Sequence, residues 1–275
     1  MNSILNIASS VKASEYDFEF SICTLVTRKE EYNEMLQSFV DKGFSTTDCE
    51  YLFIDNSTSC TFDAYQGLNI FLQQAKGKYI ILCHQDVLVH DHDRTHLEKR
   101  IQEIEERDKN WAILANAGGI NLKWIGTNLT QGNGNVIKEK FLPLRTKTVD
   151  ENFIIVKSSA NLALSSDLSG FHLYGTDLCI IADILGYNAY IIEFNLMHKS
   201  DGNADKSFYS LKKALIKKYN YALRSRFMCT TITRFYISGN WFTAIIYDTQ
   251  FIKFFVKQYY KFFKTKKSYH LKKSD

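Results

Sequence analysis

Apolar residues in this chain fall into short continuous runs separated by segments of helical period. FEFSICTLV (18–26) is rich in β-formers and too short for a helix by pattern, so it predicts a buried strand. Thr27-Arg28-Lys29-Glu30 follows as a T-x-x-E capping box. Tyr32, Met35, Leu36, Phe39 and Val40 then recur at helical spacing as far as Gly43. YLFID (51–55) predicts a second strand. Phe62, Tyr65, Leu68, Leu72 and Ala75 line a second helix, with Gly77 as its C-terminal stop. KYIILC (78–83) is the third strand, Asp93 caps a helix that turns Leu97, Ile101 and Ile104 inward, and WAILANA (111–117) is the fourth strand.

Strand alternating with helix predicts the α/β class, a mostly parallel sheet with helices on both faces. Residues 118–150 read as an irregular loop, because GGINLKWIGTNLTQGNGN is too rich in glycine and asparagine for a regular element. A loop of that length inside a domain is often functional. TVDENFIIVK (148–157) returns to strand character. FHLYGTDLCIIADILGYNAYIIEF predicts a turn, a helix from about Thr176, a stop at Gly186 and a further strand. From about residue 205 the chain reads as helical and rich in lysine and aromatic residues. The expected organisation is an N-terminal extension (1–17), a catalytic domain (18–210) and a helical C-terminal extension (211–275).

Composition narrows the class. With 275 residues, 45% hydrophobic and 14% aromatic, the chain can bury a sizeable core, which argues against disorder. A single proline and 13 glycines leave no linker-like stretch to mark a boundary, and no internal repeat is visible. Charge is unevenly spread: residues 251–275 hold eight lysines against Asp275, while the first 250 carry 26 basic and 29 acidic residues. The tail, not the body, is therefore expected to meet an anionic partner. Six cysteines without a C-x-x-C pair read as reduced thiols, with Cys23, Cys83 and Cys179 inside apolar runs. The N-terminal residues lack a basic segment followed by a sustained apolar stretch, and no run of about 18 apolar residues occurs, so a cytosolic chain is expected.

Open parallel sheets bind ligands beyond the carboxyl ends of their strands. Thr27, Asp55, Asn56 and the cluster His84-Gln85-Asp86 all follow predicted strands, so all fall on one edge. Three polar strand ends together favour a site.

FIDNSTS, NIFLQQAKGKYIILCHQDV, TVDENFIIVK and FHLYGTDLCIIADILGY with HKSDGN behind it together resemble a GT-A glycosyltransferase of the family-2 type, over roughly residues 18–210. The resemblance implies a Rossmann-like fold that transfers a sugar from a nucleotide-diphosphate donor. It implies that Asp55 contacts the donor base, with Thr27, Asn56, His84 and Gln85 in the same donor site. Asp86 matches the last carboxylate of a D-x-D motif, which holds a divalent metal against the diphosphate, whereas His84 stands where the first aspartate usually is. Charge builds on the β-phosphate as the glycosidic bond breaks, and Mn2+ or Mg2+ held by Asp86 would stabilise it. An imidazole in the shell leans toward Mn2+. His198, in MHKSDGN, is a third metal ligand by the same resemblance. Asp177 aligns with the acidic residue that acts as base on the acceptor hydroxyl of an inverting enzyme; by position alone it would cap a helix. His172 and Tyr174 could shape the acceptor pocket, and Asp150 and Glu151 could face it.

A dinucleotide-binding oxidoreductase is excluded by the absence of glycine in TLVTRKEE. The net negative body offers no nucleic-acid groove. The altered D-x-D leaves a catalytically inactive sugar-nucleotide-binding protein as the alternative. Family-2 enzymes of this size commonly elongate bacterial surface glycans, including capsule and lipopolysaccharide. In FIKFFVKQYYKFFKTKK the aromatics recur at helical spacing beside Lys253, Lys257, Lys261 and Lys264. That pattern predicts peripheral docking of residues 251–273 on an anionic membrane at the cytoplasmic face, near a glycan or lipid-linked acceptor.

Overall fold

Six expected strands and one unexpected one (144–146) assemble into a seven-stranded sheet, in the spatial order 49–55, 18–26, 77–83, 153–157, 111–115, 188–191, 144–146. In this computed structural model, residues 7–12, 15–200, 205–264 and 269 are described. Its strands are β1 (Phe18–Val26), β2 (Cys49–Asp55), β3 (Gly77–Cys83), β5 (Trp111–Ala115), β9 (Leu144–Thr146), β10 (Phe153–Lys157) and β11 (Asn188–Ile191). Strands β10 and β9 run against the other five, so the sheet is mostly parallel. A second sheet orders β4 (Val87–Val89), β12 (Leu196–His198), β7 (Ile125–Gln131) and β6 (Ala117–Gly119), with β8 (Val136–Lys138) paired to β7.

Period-two alternation sorts the helices to the two faces of the main sheet. Phe20, Ile22, Val26, Tyr79 and Ile81 face one way. There they form one core with Met35 and Phe39 of α1 (Lys29–Asp41) and Leu97 and Ile101 of α3 (Arg94–Arg107). Leu25 and Ile54 face the other way, against Gly67 of α2 (Ala64–Gln74), where a side chain would meet Leu25 at 2.7 Å. Residues such as Phe20, Ile81, Trp111 and Phe153 are wholly buried, each worth roughly 1.5–3 kcal/mol of transfer free energy. Asp63 and Asp93 cap α2 and α3 through the N–H groups of Gln66 and His96. Helix α4 (Tyr174–Ile184) begins two residues earlier than expected and is followed by Gly186 at φ +86°.

Three local expectations are corrected. Gly77 does not close α2 but opens β3, where a Cβ would stand 2.5 Å from the Ser21 nitrogen. The capping box at Thr27–Glu30 does not form: Arg28 occupies the cap position without a side-chain bond, and Gln85 binds Thr27 instead. Residues 118–150 are not an irregular loop but carry β6, β7, β8 and β9. Gly118 pairs with Gly126 in the β6–β7 ladder, and the position takes glycine because the Thr148 carbonyl oxygen would lie 2.1 Å from a Cβ there. Strand β7 turns Gly126, Asn128 and Thr130 inward. Asn128 N–H donates to the Asn116 carbonyl and Thr130 Oγ1 to Asn195 Oδ1 at 2.8 Å, so polar residues sit where alternation normally shows apolar ones.

All six cysteines are free, and four of them (Cys23, Cys49, Cys83, Cys179) are buried. The chain divides into two units, residues 1–213 and 214–275, within α5 (Lys206–Ala222). The second unit is not purely helical. A hairpin of β13 (Arg226–Cys229) and β14 (Arg234–Ile237) precedes α6 (Trp241–Tyr247) and α7 (Gln250–Phe263). Arg226-Phe227-Met228-Cys229 and Arg234-Phe235-Tyr236-Ile237 are short aromatic-bearing runs joined by a Thr-rich turn, and neither shows the strict alternation that marks a strand in the sequence. The Lys253 ammonium is turned inward onto Asp248 at 3.3 Å and does not share the solvated lysine face. Lys266, Lys267, Lys272 and Lys273 lie outside the described residues. Among the described residues no helix is long and apolar enough to cross a membrane.

Candidate active site

Register brings the polar strand ends together. Val26 pairs with Asp55 and Cys23 with Leu82, so β1, β2 and β3 end on the same edge. Strand β10 is antiparallel with Phe153 opposite Cys83, which delivers the residues just before it to that edge. There His84 N–H donates to the Asn152 carbonyl at 3.0 Å. Pairing of β12 with β4 sets His198 opposite Val87, and Lys199 N–H donates to the Asp86 carbonyl. Two distant segments thus converge on one turn.

The ligand atoms of His84, Asp86 and His198 all lie within 4.8 Å of one another. His198 Nε2 is 3.4 Å from Asp86 Oδ1, and Ser200 Oγ donates to Asp86 Oδ2 at 2.5 Å. Tyr174 donates its hydroxyl to the Glu151 carbonyl at 3.1 Å and stands 2.8 Å from His84 Nε2. With its proton spent on Glu151, Tyr174 must accept from His84 Nε2–H, which leaves Nδ1 as the free lone pair. Burial opposes ionisation of Asp86, yet the hydrogen bonds from His198 and Ser200 outweigh it and hold the carboxyl well below the usual carboxylate range. Burial pushes the His84 imidazole below its ordinary value, with His198 adding to the effect. A neutral imidazole and an ionised carboxylate are the forms that bind metal. Two imidazole nitrogens and one carboxylate oxygen suit Mn2+ better than Mg2+, which prefers an all-oxygen shell, so the residues present fit the manganese form of the implied ion.

A cleft of about 250 Å3 opens over this set, lined by Thr27, Arg28, His84, Asp86, Phe171, Tyr174 and Ser200. Gln85 also lines it, but its side chain is a clamp. Its Oε1 accepts from the Thr27 and Arg28 N–H groups at 2.8 and 2.9 Å, and its Nε2 donates to Thr27 Oγ1. Asn56 is likewise committed to its own loop, bonding the Thr61 and Phe62 N–H groups and the Phe62 carbonyl. Both side-chain oxygens are thus spent internally, while each amide nitrogen donates one internal bond and retains a second N–H. Asp55 is exposed at the end of β2. A hydrogen-bonded ion pair with Lys29 at 2.7 Å, followed by bonds from Ser57, holds its carboxyl below the usual range.

Asp177 does not reach the cleft. It is fully buried in the first turn of α4, where Ser165 N–H and Ser165 Oγ donate to its two oxygens at 2.8 Å each. The expectation of a base at this position is therefore corrected: this carboxylate ties the loop before α4 to the helix. His172 stands 4.0 Å from Asp205 and edge-on to Phe208, outside the cleft lining. Asp150, also outside the cleft lining, is exposed, and its charge partly offsets the lowering of the His84 imidazole by burial. Burial, then the Asp150 charge, push the Glu151 carboxyl up to about 8, while the N–H groups of Leu173 and Gly175 partly offset this. Ser200 was not singled out from the sequence. Its spacing of two from His198 on an extended segment was the available signal.

No protein-family model matches the chain. Among solved structures it is similar to TarS of S. aureus, residues 1–349, with a TM-score of 0.50 at 12% identity over 90% of this chain and 74% of that one. The same TarS segment in complex with UDP gives a TM-score of 0.51 at 13% identity, covering 93% of this chain and 76% of that one. The main sheet and its helices thus share the fold of this TarS segment. In sequence the chain is 31% identical over 234 residues to a Fuscovulum blasticum protein described as ATP synthase subunits region ORF 6, covering 82% of this chain and 93% of that protein. On that identity and coverage, the chain belongs to the family of this Fuscovulum blasticum protein.

Proposed function

We propose that this protein is a metal-assisted glycosyltransferase that moves a sugar from a nucleotide-diphosphate-sugar donor to a glycan or lipid-linked glycan acceptor. The observation that carries this reading is the His84–Asp86–His198 set at the carboxyl edge of a sheet with the TarS fold. TarS was solved in complex with UDP, which supports a nucleoside diphosphate as the donor's leaving part. The three-ligand set also favours turnover over mere donor binding, because an altered first motif position is compensated by an imidazole.

In this reading Asp86, His198 and His84 would hold the divalent cation. When bound, it supplies Lewis-acid stabilisation of the charge that builds on the departing β-phosphate. Arg28, on the rim of the cleft, adds a donor for the diphosphate oxygens. Asp55 remains the candidate contact for the donor base, and Thr27, whose N–H and hydroxyl are engaged by Gln85, shapes the cleft wall beside the donor. Asp150 replaces Asp177 as the base, because it is exposed beside His84 whereas Asp177 has no surface. The acceptor hydroxyl attacks the anomeric carbon, the bond to the β-phosphate oxygen breaks, and Asp150 takes the hydroxyl proton, inverting the anomer. Tyr174 fixes the imidazole, and Phe171 provides an apolar wall for the sugar or acceptor.

The second unit exposes Trp241, Phe242, Phe254, Phe255, Phe262 and Phe263, each more than half accessible. Patches of this kind, flanked by lysines, mark interfaces with an anionic bilayer. Peripheral docking at the cytoplasmic face would bring the enzyme to lipid-linked acceptors of bacterial surface-glycan synthesis. The test of the central reading is a screen of nucleotide sugars with and without Mn2+. The correct donor should raise the melting temperature only with metal and release free nucleoside diphosphate on incubation. No metal-dependent stabilisation by any nucleotide sugar would overturn it.

A further inference from the structure

The second unit holds a cleft of its own, about 440 Å3, walled by Phe227, Met228, Val256, Tyr260 and Tyr269. Arg234 from β14 and Lys253, Lys257 and Lys264 from α7 and its C-terminal cap also line it. Lys253 is internally neutralised: it is buried, 3.3 Å from Asp248, and donates to the Arg234 carbonyl. Among the described residues Arg234, Lys257 and Lys264 form no ion pair. Residues 214–275 carry thirteen Lys and Arg against two Asp, and Lys253 already uses Asp248. Those three cations are exposed at the cleft and are not neutralised by side chains of this unit among the described residues, so they are available to an anionic ligand.

We propose that this cleft is a binding site for the head group of a single anionic phospholipid. Its phosphate would sit among Arg234, Lys257 and Lys264, and its first acyl carbons against Phe227, Val256 and Tyr260. The inference rests on the membrane-docking part of the function proposed above, and adds a defined stoichiometric site to a diffuse surface. Cations over an apolar floor match an amphiphile, whose charged and apolar parts meet at the glycerol. Single-stranded nucleic acid would also find cations and aromatic rings here. It would leave the apolar residues Trp241, Phe254, Phe255, Phe262 and Phe263 of the same unit in water, whereas a bilayer covers them.

The full chain is titrated by calorimetry with dihexanoyl phosphatidylglycerol below its micellar concentration. Dihexanoyl phosphatidylcholine, glycerol 3-phosphate and an oligouridylate are titrated in parallel. The expected result is one-to-one binding of the phosphatidylglycerol and about 10-fold or more weaker binding of the other three. The double variant Arg234→Gln, Lys257→Gln should lose about 10-fold or more of that affinity, since each cation near a lipid surface contributes measurably. Its circular dichroism should stay unchanged. Equal binding of the choline lipid, of glycerol phosphate or of the oligouridylate would overturn the site, as would no binding of the phosphatidylglycerol. Vesicle sedimentation and the donor melting shift, measured on the same double variant, keep the readings apart. Retained vesicle binding with lost short-chain lipid binding would leave surface docking standing while the defined site is tested on its own. An absent donor shift would sink the transferase reading without touching the lipid result.

Discussion

At the scale of single residues, Asp86 is held ionised by His198 and Ser200 against the cost of its burial. Asp86→Ala should abolish transfer and the Mn2+-dependent part of donor stabilisation while leaving the fold intact, as read by turnover and melting curves. His84→Asp restores the more usual acidic position and should shift metal preference away from Mn2+, measured as the ratio of rates with Mn2+ and Mg2+. Asp150→Asn should reduce turnover by roughly 10²-fold with donor affinity unchanged, the range a general base supplies. Asp177→Asn should do the reverse. It presents an amide N–H2 to one of the two Ser165 donors, costing about 1–3 kcal/mol of stability, with turnover of the folded protein retained. Glu151 gives a pH signature. Its folded pKa of about 8 lies above the ordinary 4.5, so the folded chain binds that proton more tightly than the unfolded chain. Its contribution is full below about 4.5 and lost as pH rises through 8. Glu151→Gln should therefore melt higher than the parent at pH 9 and much like it at pH 4.

At the scale of elements, the site depends on two antiparallel intrusions into a parallel sheet. Strand β10 brings Asp150–Asn152 to the carboxyl edge because it runs backwards, and β12 brings His198 because it pairs with β4. The long segment between β5 and β10 works by close approach rather than by flexibility. Gly118→Ala would put a methyl 2.1 Å from the Thr148 carbonyl, so β6 must move away from residues 148–149. A loss of about 1–3 kcal/mol is expected from such overpacking, seen as a lower denaturation midpoint. Because residues 148–149 lead directly into Asp150, turnover should fall as well.

At the scale of the whole molecule, charge is segregated between the two units. The 21 basic and 28 acidic residues of 1–213 leave that unit negative, while 214–275 is strongly positive. Replacing Trp241, Phe254 and Phe255 together by serine should reduce co-sedimentation with phosphatidylglycerol vesicles by about 10-fold or more, since each buried ring contributes apolar transfer free energy. Donor stabilisation in solution should not change. Undiminished vesicle binding would assign those rings another role.

The strand–helix alternation through residue 107 was legible in the sequence because β1 and β3 are continuous apolar runs buried on both faces and the helices carry clear stripes. The edge holding Thr27, Asp55, His84 and Asp86 followed from that alternation, since parallel strands must end together. Element chemistry at 118–150 was not legible, because β7 turns Asn128 and Thr130 inward to partners that only the fold supplies. The hairpin at 226–237 was not legible either, because its strands are four residues each and do not alternate polar with apolar positions. Tertiary structure alone decided which polar residues are spent and which are free. Gln85 and Asn56 look like ligand groups in the sequence, yet the fold spends their side-chain oxygens internally. Asp177 and Asp150 are both acidic residues at element starts, and only packing separates a buried tie from an exposed carboxylate. Local pattern determines where the backbone alternates; burial and partners, which are long-range, determine what a side chain can do.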